Sequence, residues 1–159
     1  AKGDVVIGME FVNKAPEFLL TSQDGKGFVI PAEDLVSNKV TGKNIFDAKD
    51  VCGFTPFDKA NKILLVSAQG IAAVRGYESF AILKKGKGKA LIKLEKKDKL
   101  KYIQPFSCET QEVVLSAGKR FIRIDNKNIE TYFTDKTTGG GVALPQGFRK
   151  ITKIEKEDN

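Results

Sequence analysis

The sequence predicts an all-β fold of short antiparallel strands arranged as repeated, radially disposed blades. Three observations predict it: an internal repeat, apolar runs of strand length that end on glycine, and Gly or Pro in almost every window wide enough for a helix. The repeat is read first from Leu19-Leu20-Thr21-Ser22-Gln23-Asp24-Gly25, which returns as Leu64-Leu65-Val66-Ser67-Ala68-Gln69-Gly70 at an offset of 45. A looser copy is Val114-Leu115-Ser116-Ala117-Gly118, with Gly70 and Gly118 separated by 48. Phe11, Phe57 and Phe106 precede these runs, and Thr55-Pro56-Phe57 resembles Gln104-Pro105-Phe106. Downstream, Gly42-Lys43, Gly86-Lys87-Gly88-Lys89 and Gly139-Gly140-Gly141 each introduce an apolar segment.

Each unit opens with a hairpin. Phe18 to Ser22, Ile63 to Ser67 and Glu112 to Ser116 are short, apolar and partly β-branched, and each meets a glycine able to take the positive φ of a tight turn. Their partners are Gly27 to Ile30, Ile71 to Val74 and Arg120 to Ile124. Ala60 to Ala68 has a helical look in isolation, and the repeat overrules it. Ala90 to Leu94 is expected as a further strand, spanning roughly 16 Å.

A period of about 45–50 residues with four short strands per unit is that of a propeller blade. About three blades are visible, at approximately 5–50, 51–99 and 100–155, within a single domain of 159 residues. Three are too few to close a ring, since propellers have about four or more. The chain is therefore either an open arc or completed by a weak fourth blade made from residues 1–11 and the C-terminal strand. The start at Ala1, followed at once by Val5-Val6-Ile7, leads us to expect N-terminal truncation.

The net charge of +7 is concentrated in one place. Between Lys84 and Lys101 nine lysines face only Glu95 and Asp98, a local charge of +7, and the remainder of the chain is neutral. Charge gathered in this way attracts a polyanion locally, or serves simply as a solvated hairpin. No apolar run approaches the ~20 residues of a membrane span. With no signal-peptide pattern either, a soluble cytoplasmic protein is expected. Cys52 and Cys108 lack metal-binding spacing and are expected as small apolar residues packed in strands; with no His a metal site would have to rest on carboxylates, and none is expected.

The repeated residues resemble a known family. Leu19 to Val29 followed by Glu33-Asp34-Leu35 is similar to the blade consensus in the C-terminal domains of gyrase and topoisomerase IV A subunits. Gly86-Lys87-Gly88-Lys89-Ala90-Leu91-Ile92 is similar to the Gly-Lys-Gly element late in such blades. Ser116 to Arg120, and Gly139 to Gly141 through Gly147-Phe148-Arg149-Lys150-Ile151, resemble a last blade of topoisomerase IV. The resemblance implies a β-pinwheel, a disc whose blades exchange strands and whose basic rim binds and bends duplex DNA. It implies a non-catalytic domain of an ATP-dependent type II topoisomerase, an isomerase whose ATP and Mg act through other domains. The implied partners are double-stranded DNA, the rest of the A subunit and the ATPase B subunit, in the bacterial cytoplasm at the nucleoid. The gyrase-specific box Gln-Arg-Arg-Gly-Gly-Lys-Gly has no match, which places the chain nearer topoisomerase IV.

Duplex binding without sequence readout needs cations spaced along a surface that phosphates can follow, with glycines permitting close backbone approach. Lys84, Lys85, Lys87 and Lys89 meet both needs, and Lys43 and Lys136 hold equivalent positions in the other repeats. Lys119, Arg120 and Arg123 form a third candidate patch, in which arginine is suited to bidentate phosphate contact. Lys96, Lys97, Lys99 and Lys101 are expected at the far end of the Ala90 to Leu94 strand, away from this path. No recognition helix or zinc finger is present, and the phenylalanines fall at core strand positions.

Catalysis finds no support. Serine and cysteine triads fail for want of His, and Gly25-Lys26-Gly27 and Gly86-Lys87-Gly88 lack P-loop spacing. None of Tyr77, Tyr102 and Tyr132 has the neighbouring arginine of a strand-cleaving tyrosine. Glu33, Asp34 and Asp50 are turn residues. The alternative function is a propeller used as a protein-interaction platform.

Overall fold

The structure is a computed structural model, in which residues 5–132 and 140–159 are described. In chain order the strands are β1 (Glu17–Ser22), β2 (Lys26–Pro31), β3 (Val51–Pro56), β4 (Lys62–Ser67), β5 (Ile71–Arg75), β6 (Lys89–Ala90), β7 (Leu100–Phe106), β8 (Gln111–Ala117), β9 (Arg120–Ile124), β10 (Val142–Ala143) and β11 (Lys153–Asp158). One helical turn, α1 (Ile129–Tyr132), follows β9. The three expected hairpins are β1–β2, β4–β5 and β8–β9, all antiparallel. Gly25, Gly70 and Gly118 take φ of 80°, 78° and 63° at their turns, where a side chain would be strained.

These strands form three sheets among the described residues, ordered β3-β1-β2-β6, β10-β5-β4-β7 and β11-β8-β9. The two-residue strands carry the exchange between units. β6 follows the second hairpin yet pairs with β2 of the first, Gly27 facing Lys89. β10 follows the third hairpin yet pairs with β5 of the second, Ala72 facing Val142. The same hydrogen bond closes both, from Leu91 N to Gly25 O and from Leu144 N to Gly70 O, each 2.8 Å.

Strand periodicity explains how the sheets stack. Successive side chains leave a strand on opposite faces, so a strand buried at every position must have neighbours on both sides. In β4, Ile63 and Leu65 join Leu19 and Val29 of the first sheet, whereas Leu64 and Val66 join Val113, Leu115 and Ile124 of the third. The middle sheet is thus sandwiched between the other two. The outer face of the first sheet, with Phe18, Leu20, Phe28 and Ile30, is covered by Leu35, Ile45, Phe46 and Leu83 from connecting segments. The third sheet presents Glu112, Arg123 and Glu157 outward, and Phe121 beside them is 60% exposed.

Some expectations are revised. Among the described residues, 5–11 form no strand and β11 pairs with β8 in the third sheet, so these residues assemble no fourth blade. The strand expected from Ala90 to Leu94 is reduced to β6 and a single bridge from Lys93 to Gly140. Leu91 and Ile92 are consecutive and both buried, at 1% and 2% exposure, which one extended strand over a single core face does not allow. The Leu91 and Ile92 amides both turn toward Gly25 O, and the chain bends there. Cys52 lies in β3 as expected, but Cys108 sits in the turn between β7 and β8.

Candidate nucleic-acid interface

The segment from Lys84 to Lys89 lies at one edge of the first sheet, and all four of its lysines are exposed. Two sets of contacts fix it there. A parallel bridge joins Phe46 to Gly86, with Asp47 N bonded to Gly86 O at 2.9 Å and Gly86 N to Ile45 O at 3.0 Å. On its other side β6 pairs with β2, setting Lys26 opposite Ala90. Chain segments far apart in sequence therefore deliver their cations to one place.

Lys43 and Lys84 converge on a single residue. Lys43 Nζ donates to the Asp34 carbonyl at 2.8 Å, and Lys84 Nζ stands 3.5 Å from Asp34 Oδ1. Lys26, on the neighbouring strand, pairs with Asp24 at 2.8 Å. Lys26, Lys43, Lys84, Lys85, Lys87 and Lys89 are all exposed around this sheet edge, with Asp24, Asp34 and Asp47 among them. Lys26 was missed from the sequence because only the β2–β6 pairing, which sets it opposite Ala90, brings it to the edge that carries Lys89; the recurrence of a glycine-rich element after each hairpin was the available signal.

The glycines of this element build the strand exchange. Gly88 has φ of 70°, and a Cβ there would come within 2.6 Å of Gly27 O. The Gly86 amide is already bonded to Ile45 O. The lysine side chains, rather than the Gly86 N–H, are thus the groups free to meet an anion.

Lys119, Arg120 and Arg123 lie on the third sheet, separated from this surface by the second. Arg123 donates to both Glu112 and Glu157, the latter at 2.8 Å. Its hydrogen bonds to Glu157 and Glu112 hold its pKa above the ordinary arginine value. Arg123 also lies 5.5 Å from the centre of the Phe121 ring. Arg120 lies against Gly147, where a Cβ would come within 2.7 Å of its Nη1. Lys136 lies outside the described residues. A separate cleft beside the second hairpin is lined by Lys93, Lys97, Arg149 and Lys150. Among the described residues no cluster of three or more His, Cys, Asp or Glu is placed to hold a metal, and no helix is long and apolar enough to cross a membrane.

Stacked sheets that lend strands to one another define a β-pinwheel. The chain shares this fold with the C-terminal domain of E. coli ParC, at a TM-score of 0.82 and 20% identity over 92% of this chain and 62% of that one. It is also similar to the C-terminal domain of a DNA topoisomerase IV, at a TM-score of 0.72 and 12% identity over 91% of this chain and 47% of that one. The chain therefore spans less than two thirds of either of these structures. No protein-family model and no curated protein sequence matches it.

Proposed function

We propose that this chain is a non-catalytic, duplex-DNA-binding domain of a bacterial type II topoisomerase A subunit, nearer topoisomerase IV than gyrase. The observation that carries the reading is the gathering of Lys26, Lys43, Lys84, Lys85, Lys87 and Lys89 at one edge of the first sheet. Cations held on a rigid sheet edge can follow a phosphate backbone without reading bases, so binding is shape-driven and salt-sensitive. Bending follows if the duplex continues around the arc, its deformation energy offset by the added contacts. The shared pinwheel fold supports the assignment. In this reading the partners are the rest of the A subunit and the ATPase B subunit, the setting is the bacterial cytoplasm, and this chain holds no cofactor. Lys119 and Arg120 extend the path at the third sheet, and Lys136 is kept in the proposed path from its place in the repeat alone, whereas Arg123 chiefly ties β9 to β8 and β11.

The test is the triple variant Lys85→Gln, Lys87→Gln, Lys89→Gln with a roughly 40-base-pair duplex. Loss of three phosphate contacts should flatten the log–log salt slope by about 3 and weaken binding at least about tenfold at low salt. Unchanged affinity would sink the assignment of this surface and favour the protein-interaction reading.

A further inference from the structure

We propose that the three sheets are coupled in one direction, so that opening of the third unit loosens the basic element of the first sheet, while opening of the first sheet leaves the third in place. This coupling is a property of the fold and holds whatever the basic element binds. Strand supply gives it its direction. Among the described residues every sheet is built from a hairpin and from strands that come later in the chain. The first, β1–β2, is flanked by β3 and β6; the second, β4–β5, by β7 and β10; the third, β8–β9, by β11 alone. The third is therefore assembled from residues 111–158, whereas the second needs 100–106 and 142–143, and the first needs 51–56 and 89–90.

A continuous path leads from the third unit to the basic element. β10 covers the outer edge of β5, where Ala72 faces Val142 and Leu144 N bonds to Gly70 O at 2.8 Å. On one face of the second sheet, Val66, Ala72 and Val74 share a core with Val113, Leu115 and Ile124 of the third. A β5 without that packing and without β10 has an unpaired edge and few buried contacts, the conditions under which part of a fold opens locally. β5 ends at Arg75, whose Nε donates to the Leu91 carbonyl at 2.8 Å, and Leu91 directly follows β6. The segment that carries Lys84, Lys85, Lys87 and Lys89 is thus anchored through β5 to the third unit. The return path is lacking. Among the described residues no strand pairing joins the first sheet to the third, and Leu20 packs with Phe18, Phe28 and Ile30 against connecting segments on the side away from the second sheet. Face-to-face packing of the first and second sheets is mutual, but the third sheet takes no strand from either.

Leu115→Ala and Leu20→Ala open matched cavities in the third and first sheets, both leucines being buried. Amide hydrogen exchange of the full chain under native conditions, resolved by peptide, reads the direction. Leu115→Ala should speed exchange about tenfold or more in β8 and β9, and also in β5, in β2 and at residues 89–92. Leu20→Ala should do so in β1, β2 and β6, leaving β8, β9 and β11 within about twofold of the parent. Ile124→Val, a milder change in the same core as Leu115, should give the Leu115→Ala pattern at smaller amplitude if that variant does not fold. Acceleration that spreads equally from both sites, or that stays within the altered sheet for both, overturns the one-way coupling. The readout is exchange and not DNA affinity, so failure here leaves the duplex-binding reading standing, and failure of that reading leaves the coupling standing.

Discussion

Arg75 Nε donates to the Leu91 carbonyl at 2.8 Å, and Arg75 is fully buried. Arg75 belongs to β5 of the second sheet, and Leu91 ends the short element that the first sheet receives. A guanidinium withdrawn from water thus ties the exchanged segment to the neighbouring blade, and its burial pushes the Arg75 pKa down from the ordinary value. The basic element is thereby held from both sides, by β2 at its edge and by Arg75 from the core.

Arg75→Met should destabilise the chain by about 1–3 kcal/mol, because the Leu91 carbonyl loses its buried donor. Urea unfolding reads the loss directly. Hydrogen exchange at residues 89–92 should accelerate more than at β8 and β9, and equal acceleration everywhere would contradict the local tie.

Gly88→Ala and Gly42→Ala separate two kinds of cost. Both glycines have positive φ, 70° and 76°, but a Cβ on Gly88 would strike the Gly27 backbone, whereas Gly42 has nothing within 4 Å. Gly42→Ala should cost about 1 kcal/mol from backbone strain alone, and Gly88→Ala clearly more. Equal losses in chemical denaturation would mean that the close approach of β6 to β2 matters little.

Asp34 acts against the basic surface it organises. Asp34→Asn removes the charge facing Lys84 while leaving the carbonyl that receives Lys43. Lys84 is exposed although Asp34 is mostly covered, and a pair at 3.5 Å with one partner in solvent contributes at most about 1 kcal/mol, so duplex affinity should rise up to about fivefold. A fall in affinity on the same duplex would show that Asp34 is needed to hold the lysines in place.

Tyr77 gives the chain an alkaline limit. Burial, then its hydrogen bond to Glu17 at 2.8 Å, pushes its pKa up to about 12 from 10.0. Between those values the unfolded chain has released the phenolic proton and the folded chain retains it. Stability is therefore full below pH 10 and falls as pH rises toward 12. Comparing Tyr77→Phe with the parent isolates this from lysine titration: the variant should lose less stability over that range, and parallel curves would refute the assignment.

Much of the fold was legible because hairpin chemistry is local. Leu19-Leu20 and Leu64-Leu65, each followed by a turn glycine, specify the same β-turn-β unit whatever surrounds it. The strand exchange was harder to read, since β6 and β10 are two residues each and owe their place to tertiary pairing. The straight strand expected after Lys89 ignored that Leu91 and Ile92 both enter the core. The first basic surface was partly visible in the run from Lys84 to Lys89, and Lys43 was reached by repeat equivalence. The cleft beside the second hairpin was not, because Arg149 and Lys150 meet Lys93 and Lys97 only through the packing of the last repeat on the second hairpin.

The most direct test of duplex binding along the rim is fluorescence anisotropy of the unaltered chain with a roughly 40-base-pair duplex across a salt series. A log–log slope of about −4 or steeper, alike for unrelated sequences, is the predicted result, since each phosphate contact adds about −0.9. Absence of binding at low salt would contradict the account.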